Sequence, residues 1–391
     1  MLKGIPSVEK RNFTLVTLAN FLLFCNFSAF FLLPTFIKDI GGGEASVGFV
    51  MGSFGLASLG MTPAVGVLID RWGRKRFMLV GAALMFVSSA GNVFIDNVDL
   101  LCLPRILQGL AFALFFTSAA TAAADFAPSH KRGEGLGLFG AFTIASYAIG
   151  PTVGEFIIKG FGYRAFFLCA SSFSIGALIL VSLTSDAPMQ KQREKKGRGF
   201  IGVVLSRRLA PIYLTNVALA GGFGSVLNFV SAYVKPMGLD VYYFFLVYSL
   251  TVTLMRFFGG RISDVVDRRK IAAPSLLFFA FSIALMSAVD SLFSMIAVAF
   301  IFSLSYGMLY PVLAAIVVDL AEPNERGRAV GLFNASFSFG INILAFFLGV
   351  IAELYGYPIM YLSAGALSFS GFLVFGIMAR PLTLEKHSLF D

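Results

Sequence analysis

Long apolar runs and short polar breaks alternate along the chain. Twelve runs of about 20 residues or more can be marked, at about 12–37, 47–69, 77–95, 100–124, 135–158, 165–184, 209–234, 241–262, 271–289, 291–318, 329–352 and 358–379. A helix needs about that length to cross a hydrocarbon core roughly 30 Å thick. The breaks carry turn chemistry. Gly41–Gly42–Gly43 follows the first run, and Pro188 with the polar stretch Gln190 to Gly199 follows the sixth. That stretch is too polar to bury a core and reads as a flexible linker. The narrowest break, around Asp290, separates the ninth run from the tenth. The pattern predicts an all-α membrane protein of twelve transmembrane helices. It forms two six-helix bundles, 1–185 and 208–391, joined by a cytoplasmic linker at 186–207.

The two halves repeat one another. GVLIDRWGRKR starts at Gly66 and GRISDVVDRRK at Gly260, so Asp70 and Arg74 recur 194 residues later as Asp264 and Arg268. The same offset carries Asp125 to Asp319, Arg132–Gly133 to Arg326–Gly327 and Gly162–Tyr163 to Gly356–Tyr357. A repeat of this length lies far outside the solenoid range. Parallel duplication in a membrane chain is a mark of one transporter architecture.

Composition agrees. Of the 391 residues 58% are hydrophobic and 13% charged, with 45 Phe, and the mean hydropathy is +0.84. Soluble domains carry about twice that share of charge. The net charge of +9 sits in short clusters between apolar runs, which reads as topology rather than nucleic-acid binding. With the N-terminus inside, 24 of the 30 Lys and Arg fall on the cytoplasmic side, which puts both termini there. Cys25, Cys102 and Cys169 lie inside apolar runs, and His130 and His387 are far apart. No disulfide framework, metal site or cofactor is expected. The first apolar run is too long for a cleavable signal, and no small-residue cleavage site follows it.

GVLIDRWGRKR, with Gly66, Asp70, Gly73 and Arg74, resembles motif A of the major facilitator superfamily. Arg105–Ile106–Leu107–Gln108–Gly109 resembles its motif B. Gly150–Pro151–Thr152–Val153–Gly154 resembles motif C of proton-coupled exporters, with Glu155 where a glycine usually follows. The second-half patterns are similar to sugar-efflux and drug-efflux members. The resemblance implies two bundles that rock about one central site. It also implies a cytoplasmic gate in which Asp70 meets the N-terminus of span eleven and Arg74 pairs with Asp125. By the repeat, Asp264 meets span five and Arg268 pairs with Asp319. Spans two, five, eight and eleven would form the rocking interface, where Gly48, Gly52 and Gly55 on span two and Gly150 and Gly154 on span five allow close approach.

Charges inside spans are expensive and mark function when they face the bundle interior. Arg105 lies about six residues, roughly 9 Å, from the outer end of span four, on one face with Gln108 and Phe112. Arg256 lies in span eight without an acidic residue nearby in its own span, and suits an anionic substrate. Its alternative is snorkelling to the interface. Glu155 is the candidate for proton exchange, with Arg105 beside it if spans four and five bring the two together. The second half lacks the Arg–Gln pair, with Ala299 and Phe302 in its place. Polar residues near mid-span should turn inward. Asn26, Gln108, Tyr147, Tyr306 and Asn342 are expected to ring a cavity, with Tyr310 on the Tyr306 stripe and Phe24, Phe112, Phe116 and Phe223 as an apolar lining. Interhelical hydrogen bonding is the alternative for each polar member.

The reading is a monomeric, multi-pass transporter of the cell (inner) membrane, working by alternating access. It exports a small anionic or neutral amphiphilic molecule, with protons as the coupling ion. An uptake symporter is the nearest alternative, and a non-transporting receptor or scaffold the next. No catalytic pair stands inside the membrane, so an enzyme is not expected.

Overall fold

The computed structural model describes residues 7–127, 132–186, 206, 208–265, 267–322 and 325–379. The side chains of residues 7, 70, 132, 133, 257–265, 378 and 379 lie outside that description, as do both ends of the chain and the linker stretch 190–199. All described elements are helical. Span one runs Ser7–Ala29, bends through the 3-10 turn Phe30–Leu32 and continues as Leu33–Asp39. Spans two, three and four are Glu44–Trp72, Arg74–Gly91 and Cys102–Phe126. Spans seven to ten are Ala210–Val234, Tyr242–Val265, Arg268–Leu285 and Leu292–Leu320.

Spans five and six lie within Arg132–Ser182 and meet at Gly162, and spans eleven and twelve lie within Arg326–Ala379 and meet at Gly356. The polar break expected between each pair is not a loop. One non-helical glycine in each, Gly162 at φ +79° and Gly356 at φ +84°, turns the chain directly from one helix into the next. Only glycine adopts that conformation without steric cost, and the 194-residue offset places the two at equivalent points. By contrast, the thin break near Asp290 is a full helix boundary. Ser291 Oγ accepts from the Ser294 N–H, and Ser294 Oγ accepts from the Ser291 N–H, closing a capping box that starts span ten.

The face carrying Arg74 and Arg268 is called the basic face below, and the opposite one the far face. The packing differs between them. The largest apolar cluster joins the far-face end of span one, Phe30 to Ile37, to Phe229, Phe244, Phe245 and the rest of the second half. A second cluster, including Phe13, Met78, Phe115 and Val181, stays inside the first half toward the basic face. Spans two and eleven touch backbone to backbone. A Cβ added at Gly48 would lie 2.6 Å from the Ala345 carbonyl oxygen, one at Gly52 2.9 Å from that of Asn342, and one at Gly349 2.8 Å from that of Glu44. Nearer the basic face, Gly60 and Gly66 meet nothing within 4 Å, and Thr62, Pro63 and Ala64 are exposed. The halves are closed at the far face and part toward the basic face.

Gly150 and Gly154 do not serve the interface between halves. A Cβ at Gly150 would strike Ser28 and Cys25 of span one, and one at Gly154 would meet Leu32 and Phe166. The motif therefore packs the first bundle internally. Part of the Phe excess faces outward, with Phe156, Phe161 and Phe293 each more than 70% exposed.

Candidate functional site

At the basic face, Gly73 turns the chain from span two into span three, which sets Arg74 inward. Arg74 Nε lies 2.8 Å from Asp125 Oδ2, and both side chains are shielded, at 4% and 14% exposure. Arg268 pairs with Asp319 at the equivalent place, but there the groups are 30% and 55% exposed. Lys75 Nζ adds bonds to the Ser182 carbonyl at 2.9 Å and the Thr184 carbonyl at 2.5 Å, fastening span three to the end of span six. The side chains of Asp70 and Asp264 lie outside the described residues.

Inside the first half a buried polar chain crosses four spans. Arg105 Nη1 donates to Gln108 Oε1 at 2.9 Å, Gln108 Nε2 to Ser89 Oγ at 3.2 Å, and Asn26 Nδ2 to Ser89 Oγ at 3.0 Å and the Ala170 carbonyl at 2.7 Å. The Arg105 guanidinium also sits over Phe54, 4.7 Å from the ring centroid, with Nη2 3.6 Å from Met51 Sδ. Asn26 and Gln108 therefore belong to the scaffold of the first bundle and do not ring a cavity. Neither is Arg105 beside Glu155. The carboxylate of Glu155 instead accepts from the Tyr242 N–H at 2.9 Å, with Lys159 Nζ at 3.5 Å.

The centre of the molecule is aromatic. Tyr147 of span five stacks on Tyr248 of span eight, centroids 5.9 Å apart, and so joins the two halves. Tyr306 stacks on Phe223 at 4.2 Å, and Phe302, Phe337 and Tyr310 extend the layer. Tyr310 donates to Asn334 Oδ1 at 3.0 Å. Phe24, Phe112 and Phe116 cluster with Phe27 in the first half, and Phe24 stacks on Tyr147, which through Tyr248 joins them to Phe223 of the second half. Asn342 is off-centre. Its side chain occupies the place where a Cβ at Gly55 would stand, and Nδ2 donates back to the Ser338 carbonyl at 2.7 Å.

Arg256 enters this centre from span eight. Its charge acts on the hydroxyls of Tyr147, Tyr248, Tyr306 and Tyr310. It lies against Gly140 of span five, where a Cβ would stand 3.4 Å from Nη1, in ordinary contact. Arg256 Nε is buried without a hydrogen-bond partner, and so is the hydroxyl of the fully buried Tyr248. Tyr248, absent from the sequence-based set, is eight residues before Arg256 on the same span, a spacing that could have singled it out. Ser89, the hub of the first-half chain, gave no signal beyond being a serine in an apolar run.

The site lies between two duplicated bundles, and family comparison agrees with that plan. The model of the Major Facilitator Superfamily matches residues 16–255 and 242–389. The chain belongs to the Major Facilitator Superfamily. Among relatives, it is 26% identical over 379 residues to the multi-drug resistance efflux pump PmrA of Streptococcus pneumoniae, covering 92% of this chain and 94% of that one. It is 23% identical over 367 residues to the quinolone resistance protein NorA of Staphylococcus aureus, covering 88% and 92%. Solved superfamily structures share the fold. A point mutant of the nucleoside transporter NupG gives a TM-score of 0.81 at 14% identity, covering 94% of this chain and 99% of that one. A bacterial homologue of the human lysosomal transporter Spinster gives 0.80 at 13%, covering 96% and 98%. This superfamily member is a multi-pass membrane transporter of small molecules.

Proposed function

We propose that the chain exports a small organic anion, or a neutral amphiphile, by rocking its two halves about the Arg256–tyrosine centre, with protons as the coupling ion. One observation carries the substrate class. Arg256 is a cation at the heart of the molecule with no acidic partner among the described residues, and Tyr248 beside it holds an unused hydroxyl. A half-buried charge without a counter-ion is costly, and an anionic ligand removes that cost while a cationic one adds to it. The guanidinium fork suits a carboxylate or phosphate, and the stacked tyrosines suit an apolar body.

The direction of transport rests on the efflux relatives and on the Gly150–Pro151–Gly154 segment. Protons as coupling ion rest on that segment and on Glu155. The gate reading of Gly66, Asp70, Gly73, Arg74, Asp125, Asp264, Arg268 and Asp319 is supported by the two Arg–Asp pairs at equivalent places. The charge bias supports cytoplasmic termini, and a monomer is the simplest unit, since the site lies within one chain.

The test is uptake into inverted vesicles of matched aromatic substrates, benzoate against benzylamine, with and without an imposed pH gradient. Benzoate is expected to accumulate, dependent on the gradient. Arg256→Ala should raise the KM for benzoate at least tenfold, and Arg256→Lys should recover part of it, as a point charge without the planar fork. Benzylamine carried as well as benzoate, or an unchanged KM in Arg256→Ala, would return Arg256 to a snorkelling role. Accumulation only in right-side-out vesicles would favour the symporter.

A further inference from the structure

Two carboxylates, one from each half, cross to the other half at the far face and bind the start of a helix. Glu155, at the far end of span five, accepts from the Tyr242 N–H, the first residue of span eight, at 2.9 Å. Glu353, at the far end of span eleven, accepts from the Ala45 N–H in the first turn of span two at 2.7 Å. The two contacts are related by the molecular pseudo-symmetry, which exchanges span five with eleven and span eight with two. They do not follow the 194-residue register: the residue 194 before Glu353 is Lys159, and the residue 194 after Glu155 is Gly349. Each half has placed a carboxylate on its own turn of helix and reached the same target.

We propose that Glu155 and Glu353 are paired gate residues that hold the far face shut during transport. The first N–H groups of a helix have no partner within it and carry the positive end of its dipole, so an ionised carboxylate is held there by charge and by hydrogen bonding together. Both bonds join opposite halves, so both must break when the far face opens. Neither is needed to fold a single half.

The surroundings fit the contact. A Cβ on Gly43, which precedes span two, would collide with the Glu353 carboxylate, so glycine there leaves the approach open. Glu155 is steadied by Lys159, which also binds Asp240 just before span eight. Lys235 adds Asp39 at 2.6 Å and the Tyr163 hydroxyl at 3.1 Å, and Ser231 donates to the Phe31 carbonyl at 2.6 Å. The lysine pairs are largely exposed and contribute little individually. Deeper in the molecule, Ser249 Oγ donates across the halves to the Ile144 carbonyl at 2.9 Å. Glu155 is the stronger of the two caps, being 13% exposed, whereas Glu353 lies at the surface where water competes.

The test reads conformation rather than transport, so it stands apart from the proposed substrate and coupling. Spin labels are placed on far-face cysteines at Asn97 and Met237, both exposed, in a chain whose three native cysteines are replaced by Ser. Distances are measured in lipid nanodiscs without substrate. Glu155→Gln should enlarge the long-distance, open population about fivefold relative to the closed one, and Glu353→Gln about twofold. The double variant should exceed either, and Gly43→Ala should match Glu353→Gln. Lys75→Gln, on the basic face, should leave the far-face distances unchanged. Distances unmoved in a double variant that still elutes as a folded monomer would overturn the proposal. So would an equal shift in Lys75→Gln, which would signal general loosening.

Discussion

Single side chains here separate into those that hold the bundles together and those left unsatisfied at the centre. Asn26 donates its amide to Ser89 and the Ala170 carbonyl inside a buried interior. Replacing it with Ala should destabilise the first half by about 1–3 kcal/mol, because buried partners are left unmatched. Thermal unfolding in detergent would measure that, and the KM for substrate should stay unchanged. A lowered affinity with unchanged stability would place Asn26 at the substrate instead. Arg256 Nε and the Tyr248 hydroxyl are the opposite case, buried atoms with no hydrogen-bond partner among the described residues. Polar residues inside spans were identifiable from sequence; which of the two classes each joined was not. That depended on rotation about the helix axis, where one residue of difference turns a side chain by about 100°. Asn342 shows this, since it shares a periodic stripe with Asn334 yet faces Gly55 rather than the tyrosines.

Whole elements show how duplication diverges. Arg74–Asp125 and Arg268–Asp319 repeat in sequence and in partner, but one pair is shielded and the other open to water. Removing one member of a shielded pair leaves an uncompensated charge and costs roughly 3–5 kcal/mol, whereas an exposed pair is worth about 0–1. Arg74→Ala should therefore lower the unfolding temperature much more than Arg268→Ala, and comparable losses would show that the second pair is also shut away. At the interface, spans two and eleven meet through Gly48, Gly52 and Gly349. Gly48→Val should push them apart and shift the far-face distances toward open, since its nearest neighbours are backbone atoms that cannot yield. An unchanged distance distribution in a folded variant would mean that the spans slide to accommodate it.

For the whole molecule, apolar run length and the 194-residue echo were enough to give the helices, their number and the two-bundle plan, because the bilayer leaves the chain few other solutions. What stayed hidden was the asymmetry between faces. A sequence that alternates between two closures carries both sets of contacts at once, and the far-face set bears no mark of its own. From sequence, Glu155 reads as a proton site and Glu353 as a residue at the end of a span. Topology follows the charge bias: both termini and the stretch 190–199 should be cytoplasmic. Protease added to intact cells should leave that stretch uncut, and cleavage from outside would reverse the orientation.

The two glycine turns at Gly162 and Gly356 bear on how this molecule can be gripped. Where most membrane proteins present a loop, two of the far-face connections are a single-glycine turn between two helices. An antibody or nanobody raised against that side would find little protruding chain, and an epitope tag spliced in at either turn would separate two tightly joined helices instead of lengthening a loop. Handles for purification, imaging or inhibition therefore belong on the opposite side, where the connection between the two halves is long enough to carry them.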